Sequence, residues 1–300
     1  MYKAGFLGLI GQPNAGKSTL MNYLVKEKVS IVTAKPQTTR RRIVGISSTE
    51  QGQIVFVDAP GLIQADKGLN GFLAKEAQNV IAESDALLAI VSLDEDKAES
   101  AEKVIELVAK SGKPWIGIIT KTDIKEKQHR LMIIKQMIEA KGVKAISISV
   151  KQTVNDDELR QSILTDCLEL LPESPAPLYD AELYTDENIR DLVAEAIREK
   201  CFEHLHQEVP YLLAVRIIKF DETHEIPKIY AEIIVARENH KPMVIGKGAS
   251  VIKQIGIDSR QTIEEIMGEK VFLDLKVNVK KDWFDNKIIM KELGYDNGAE

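Results

Sequence analysis

Gly11-Gln12-Pro13-Asn14-Ala15-Gly16-Lys17-Ser18 follows an apolar run, residues 6–10, and leads into an amphipathic one, residues 18–26. Glycine at 11 and 16 lets the backbone curl until successive N–H groups point inward, and the start of a following helix adds partial positive charge there. The result is an anion cradle. The spacing GxxxxGK[ST] between a strand and a helix is the phosphate-loop signature, in which Lys17 meets the β- and γ-phosphates and the Ser18 hydroxyl meets Mg²⁺. Asn14, Ala15 and Thr19 complete the phosphate lining. A chance glycine turn reproduces the pattern in about one chain of this length in a hundred.

Working outward, short apolar runs at 4–10, 54–57, 86–91, 115–119 and 145–148 alternate with helix-period segments at 18–26, 100–110 and 129–141. Strands buried on both faces and linked by helices predict a doubly wound parallel α/β sheet, with its site at the strand carboxyl ends. Three prolines within residues 171–178 stop helix and sheet alike, so a first domain is expected over 1–171 and a proline-rich linker over 172–179. The remainder, 180–300, reads as a helix (187–204), strands (211–220, 228–236), a glycine turn with a helix, a strand (270–279) and a short terminal helix. That order predicts a smaller α+β domain.

Composition excludes several classes. A chain of 300 residues with 44% hydrophobic and 29% charged residues is neither disordered nor fibrous. No uninterrupted apolar stretch is long enough to span a bilayer, and no secretory leader is visible, so a cytoplasmic location is expected. Cys167 and Cys201 lack CxxC spacing, which suits reduced thiols and offers no zinc cage. A net charge of -6 argues against nucleic-acid binding by bulk positive charge.

Four further clusters fall where such a sheet puts its site. Asp58-Ala59-Pro60-Gly61 closes the run at 54–57, placing Asp58 to hold Mg²⁺ and the Gly61 N–H to meet a γ-phosphate. Thr38 and Thr39 lie in a basic stretch, Lys35 to Arg42, where either could cap the ion and order the loop in a triphosphate state. Thr120-Lys121-Thr122-Asp123 closes the run at 115–119, Ser149-Val150-Lys151 closes the run at 145–148, and both suit a base pocket. The Asp123 carboxylate accepts two hydrogen bonds from guanine, N1–H and the exocyclic amine, and adenine offers neither, which selects GTP over ATP. The Lys121 stem can lie along the purine, and the Val150 N–H can reach the guanine carbonyl.

Residues 178–300 hold 17 Lys and Arg against 24 Asp and Glu, a balance of -7, and the rest of the chain carries +1. Within that acidic segment Arg237, Lys241, Lys247 and Lys253 face only Glu238, a local basic stripe around Ile245-Gly246-Lys247-Gly248-Ala249 and on to Ile252 and Lys253. The run resembles the VIGxxGxxI loop between two helices of a KH domain, whose backbone N–H groups and lysines clamp single-stranded sugar-phosphate.

The set GQPNAGKS, a threonine before Arg40, DAPG, TKTD and SV resembles the five nucleotide-binding motifs of translation-factor-class GTPases. QTTRRRIVGI with DAPGL, together with a type II KH domain, resembles the Era family over nearly the whole chain. That resemblance implies GTP/GDP and Mg²⁺ as cofactors and Thr39 as the switch threonine. It implies catalysis by Lys17, Thr39 and Gly61 at a slow intrinsic rate, because Leu62 replaces the water-orienting glutamine of other GTPases. It also implies 16S rRNA near its 3′ end and the 30S subunit as partners, a role in small-subunit assembly, and weak peripheral membrane contact. A monomer is the default expectation. The chain departs from the family pattern at Thr120, where asparagine is usual, at Val150, where alanine is usual, and at Ala249, where glycine is usual. The expected consequences are weaker nucleotide binding with base choice unchanged, crowding at the guanine edge with the backbone N–H contact kept, and weaker RNA contact unless Ala249 takes helical dihedrals as the first residue of the following helix. A degenerate RNA-binding scaffold and a phosphate-loop kinase or ATPase are the competing readings, and Asp123 argues against the second.

Overall fold

A computed structural model of the chain describes residues 1–33, 35–63, 65–95, 98–153 and 156–295. Strands β1 (Lys3–Gly11), β2 (Ile43–Ser48), β3 (Gly52–Asp58), β4 (Ala86–Ser92), β5 (Trp115–Thr120) and β6 (Ala145–Ser147) form one sheet in the order β2-β3-β1-β4-β5-β6. β1, β3, β4, β5 and β6 are mutually parallel, and β2 runs antiparallel to β3. Every residue of β3, β4 and β5 is buried, as expected of strands covered on both faces. Alternation along β4 shows the two-sided cover: Leu88 and Ile90 pack with Leu7, Leu20 and Leu164, while Leu87, Ala89 and Val91 pack with Val104, Ile119 and Ile134. Helices α1 (Lys17–Val25), α2 (Gly68–Glu83), α3 (Ala98–Ala109), α4 (Gln128–Glu139), α5 (Val150–Thr153) and α6 (Asp157–Glu169) supply that cover.

The β2 strand and α2 lie outside the sequence expectation. β2 follows three consecutive arginines and pairs through a tight turn, in which Thr49 N–H donates to the Gly52 carbonyl at 2.9 Å. α6 is started by Asp156, whose side chain accepts from the Leu159 N–H.

The second set of elements is α7 (Ile189–His204), β7 (Leu213–Asp221), β8 (Lys228–Val235), α8 (His240–Ile245), α9 (Ser250–Met267), β9 (Phe272–Val279) and α10 (Lys287–Glu292). β7 pairs antiparallel with β8, and β8 pairs parallel with β9. One face of this sheet packs on α7 and α9 through Val193, Ile197, Ile229, Ile233, Ile255 and Ile263. Trp283 is fully buried and donates its indole N–H to the Leu212 carbonyl at 2.9 Å.

The chain divides into two compact units, one of residues 1–30, 39–65 and 73–186, the other of 31–38, 66–72 and 187–300. The proline-rich stretch stays with the first unit: Glu173 bridges to Lys3, and the Gln53 side chain accepts from the N–H groups of Leu178 and Tyr179 at 2.8 and 2.9 Å. Among the described residues no helix is long and apolar enough to cross a membrane, no group of three or more His, Cys, Asp or Glu side chains is placed to hold a metal ion, and both cysteines are free and buried.

Candidate functional site

In the first unit the carboxyl ends of β1, β3, β5 and β6 carry the chemistry. The loop after β1 enters α1 through Gly16, whose φ of 87° is left-handed and open to glycine at little strain. α1 opens without a side-chain cap and with no acidic residue in its first turn, so its terminal N–H groups are left for an anion. The Lys17 ammonium is buried and lies over the cradle, donating to the carbonyls of Gly11 at 3.3 Å and Gln12 at 3.1 Å. Burial pulls its pKa below that of an ordinary lysine, against the opposing charges of Asp58 and Glu95. Asn14 is exposed and left-handed at φ 63°, Ala15 is fully buried, and Thr19 lies in the first turn of α1.

Gly61 comes against the same loop. A Cβ there would lie 2.6 Å from the nitrogen of Pro13, so only glycine lets the chain after β3 pass this close, and the Leu62 N–H fixes the approach by donating to the Gly11 carbonyl at 3.1 Å. The Leu62 side chain packs against the core and orients nothing polar.

Asp58 ends β3 fully buried. Its Oδ2 accepts from the hydroxyls of Ser18 at 2.5 Å and Thr39 at 3.4 Å, and those hydroxyls lie 3.0 Å apart. Its Oδ1 is buried with no hydrogen-bond partner among the described residues. Burial raises the pKa of this carboxyl, and the Lys17 charge and the hydroxyl donors hold it back. A buried, bare carboxylate oxygen beside two hydroxyls is the hard, all-oxygen donor set that suits Mg²⁺, and the residues fit that ion. The two threonines differ in their partners: Thr38 donates to the Lys35 carbonyl at 2.8 Å and pairs with Thr33, whereas the Thr39 hydroxyl faces Ser18 and Asp58.

Beyond the carboxyl ends of β5 and β6, Ser149 donates to Asp123 Oδ1 at 2.6 Å and holds that carboxyl below the usual carboxylate range. The Lys121 ammonium sits 3.4 Å from Asp94. Thr120 is buried, and its hydroxyl donates to the Ala15 carbonyl at 2.6 Å, so a direct tie to the phosphate loop exists without asparagine. The Val150 side chain is partly buried and packs against the core of the first unit. Ser30 and Asn22, which the sequence did not single out, also bear on Asp58: the Ser30 hydroxyl donates to Oδ2 at 3.3 Å, and Asn22 brackets Ser30.

In the second unit, α8 ends at Gly246, and Lys247, Gly248 and Ala249 form a single tight turn into α9. Lys247, Gly248, Ala249 and Lys253 are exposed. A cleft of about 540 Å³ runs from this turn between α9 and the start of β9, lined by Gly248, Ala249, Ile252, Lys253, Gly256 and Phe272 among others. Ile245, Gly246 and Lys247 do not line it. Ala249 sits at φ 61°, ψ 24°, left-handed and outside the helix that it precedes.

Two family profiles match the chain: a 50S ribosome-binding GTPase family over residues 6–121 and a KH domain over residues 208–284. GTPase Era of Thermoanaerobacter sp. (strain X514) is 37% identical over 299 residues, covering 98% of this chain and 97% of that one. GTPase Era of Caldanaerobacter subterraneus subsp. tengcongensis is 38% identical over 299 residues, covering 98% of each. A variant of Aquifex aeolicus Era bound to GDP·AlF4⁻ superposes with a TM-score of 0.88 at 32% identity, covering 98% of this chain and 99% of that one. An Era structure in complex with MgGDPNP and nucleotides 1506–1542 of 16S ribosomal RNA superposes with a TM-score of 0.89 at 34% identity and the same coverage.

Proposed function

This chain belongs to the Era family of GTPases, and from that premise we propose that it is a GTP-hydrolysing switch that grips the 3′ region of 16S rRNA and assists assembly of the 30S subunit. The observation that carries the reading is the buried Asp58 carboxylate, with one oxygen bare and the other met by Ser18 and Thr39, beside the Lys17 ammonium. The nucleotides are GTP and GDP. Mg²⁺, held by Ser18, Thr39 and Asp58, supplies charge neutralisation on the phosphate oxygens when bound. The phosphates lie in the cradle of Gly11, Asn14, Ala15, Gly16, Lys17, Ser18 and Thr19, with Gly61 donating its N–H to the γ-phosphate.

Lys17 then leaves the loop carbonyls for the phosphate oxygens, carrying positive charge to where negative charge grows in the transition state. Guanine is read by Asp123, flanked by Thr120, Lys121, Ser149 and the Val150 N–H. With Leu62 turned into the core, no side chain at that position orients the attacking water, so turnover by the isolated protein is slow.

The domains proposed are a GTP-binding domain over 1–171, a linker over 172–179 and a KH domain over 180–300. In the KH domain Gly246, Lys247, Gly248, Ala249 and Lys253 clamp the RNA backbone, and Ile245 and Ile252 serve the apolar side of the groove. The choice of RNA rests on the relative solved with 16S nucleotides 1506–1542. A cytoplasmic location, with at most weak peripheral membrane contact, rests on family likeness and is checked by cell fractionation.

The deciding experiment measures binding of labelled GDP and ADP with Mg²⁺, then phosphate release with and without 30S subunits, for the parent and Lys17→Ala. The expected result is GDP binding without ADP binding, slow release and its loss in the variant. GTP turnover unchanged by Lys17→Ala would overturn the site assignment, and GDP binding with no turnover under any condition would favour the degenerate scaffold.

A further inference from the structure

Asp58 Oδ2 is met by three hydroxyls, and the third belongs to a residue outside the motif set. Ser30 lies in Lys28-Val29-Ser30-Ile31 and is 2% exposed. Its hydroxyl donates to Asp58 Oδ2 at 3.3 Å. Its main chain is held on both sides by one side chain, that of Asn22 in α1. The Asn22 oxygen accepts from the N–H groups of Val29 at 3.1 Å and Ser30 at 3.0 Å, and the Asn22 amide donates to the Ser30 carbonyl at 2.7 Å. Asn22 stands four residues after Ser18, on the same face of α1. A single helix face therefore carries both the hydroxyl that meets Asp58 directly and the amide that places the second hydroxyl on it.

We propose that Ser30 is a positioning residue for magnesium, fixed by Asn22. Its hydroxyl pins Oδ2 and so sets the rotation of the Asp58 carboxylate that leaves Oδ1 bare and available to the ion. A carboxylate held only by Ser18 and Thr39 depends on hydroxyls that the ion also engages. Ser30 adds a donor with no such second duty, and its backbone cannot drift while the Asn22 bracket stands. Outer partners of this kind set the orientation and affinity of metal ligands.

The inference rests on the assignment of Asp58 to Mg²⁺, and one set of measurements separates the two. Dissociation of fluorescent GDP is followed as Mg²⁺ is titrated, for the parent, Ser30→Ala, Ser30→Thr, Asn22→Ala and Asp58→Ala, with melting temperature recorded for each. Ser30→Ala is expected to raise the half-maximal Mg²⁺ concentration about tenfold while GDP dissociation without Mg²⁺ stays within about twofold of the parent. Ser30→Thr, which keeps the hydroxyl, restores the parental midpoint, and Asn22→Ala shifts it in the same direction as Ser30→Ala. A parental Mg²⁺ midpoint in Ser30→Ala, together with a large shift in Asp58→Ala, overturns the role of Ser30 alone. Equal loss of GDP affinity at every Mg²⁺ concentration in Ser30→Ala also overturns it, as the mark of a structural defect. A parental midpoint in Asp58→Ala removes the magnesium assignment itself.

Discussion

Thr120 donates its hydroxyl to the main-chain carbonyl of Ala15 at 2.6 Å, tying the end of β5 to the phosphate loop in place of the amide that the family pattern uses there. The second carbonyl within reach, that of Val91, is at 3.4 Å, and a hydroxyl has one proton to give, so the bond to Ala15 is the stronger. Thr120→Val keeps the shape and deletes the donor. A neutral hydrogen bond contributes about 1 kcal/mol, so GDP affinity should fall about fivefold with the preference for GDP over ADP unchanged. Calorimetry with both nucleotides checks this, and an unaltered GDP affinity would show that the tie is incidental.

The proposed reader of the base is Asp123, and the bond from Ser149 keeps that carboxyl ionised further into acid than an ordinary aspartate. Because the folded pKa is lowered, the charge is present above it, and guanine binding is lost only as pH falls through the lowered value. Ser149→Ala removes the largest cause of the shift, so the acid limb of GDP binding should move to higher pH with neutral-pH affinity reduced less. Asp123→Ala should remove two charge-assisted bonds and weaken GDP by about 100-fold or more, with ADP binding no better than before. A pH profile of GDP affinity that is identical in Ser149→Ala and the parent would sink the first claim.

The legible parts of this site are those set by spacing along one segment. Gly16, Lys17 and Ser18 fall on consecutive positions of a strand-to-helix turn, and Asp58 and Thr120 each close a strand that is apolar enough to read as buried. What could not be read depends on contacts between segments. Residue type and local charge do not separate Thr38 from Thr39; only the family resemblance does, and in the fold the Thr39 hydroxyl donates to Asp58 while Thr38 donates to the Lys35 carbonyl. Ser30 meets Asp58 across 28 residues, and no periodicity marks either Ser30 or Asn22. The β2 strand was missed for a similar reason, since its partner on one side is an irregular segment: the Ile46 N–H donates to Tyr184 at 2.8 Å and Thr185 donates to the Val44 carbonyl at 2.7 Å. The same contacts hold residues 184 and 185, past the stiff proline-rich linker expected over 172–179, along the first unit.

Ala249 carries a Cβ in a left-handed conformation, at the turn where the groove begins. For a residue other than glycine that conformation costs about 1 kcal/mol or more, and replacing it by glycine returns part of this as extra freedom in the unfolded chain. The two effects nearly cancel, so Ala249→Gly should move the melting temperature by only a few degrees. RNA affinity should respond more, because removing the Cβ lets the sugar-phosphate approach the turn. Fluorescence anisotropy with a labelled single strand matching the 3′ end of 16S rRNA is expected to show severalfold tighter binding. Weaker binding in Ala249→Gly would mean that the Cβ is itself a contact.

The unit that holds the groove carries an excess of acidic residues, so its RNA affinity must come from the few cations at the turn. Lys247 and Lys253 are exposed, and among the described residues neither makes an ion pair or a side-chain hydrogen bond, which leaves both ammonium groups for phosphate. Each phosphate neutralised on a single strand contributes about 0.7 to the slope of log affinity against log salt. Lys247→Ala with Lys253→Ala should therefore lower that slope by about 1.4 and weaken binding at low salt far more than at high salt. A loss of affinity that is the same at all salt concentrations would point instead to a damaged groove, because a contact made through apolar packing is not screened. An unchanged slope with unchanged affinity would place the RNA elsewhere on the chain and remove the turn at residues 246–249 from its binding site.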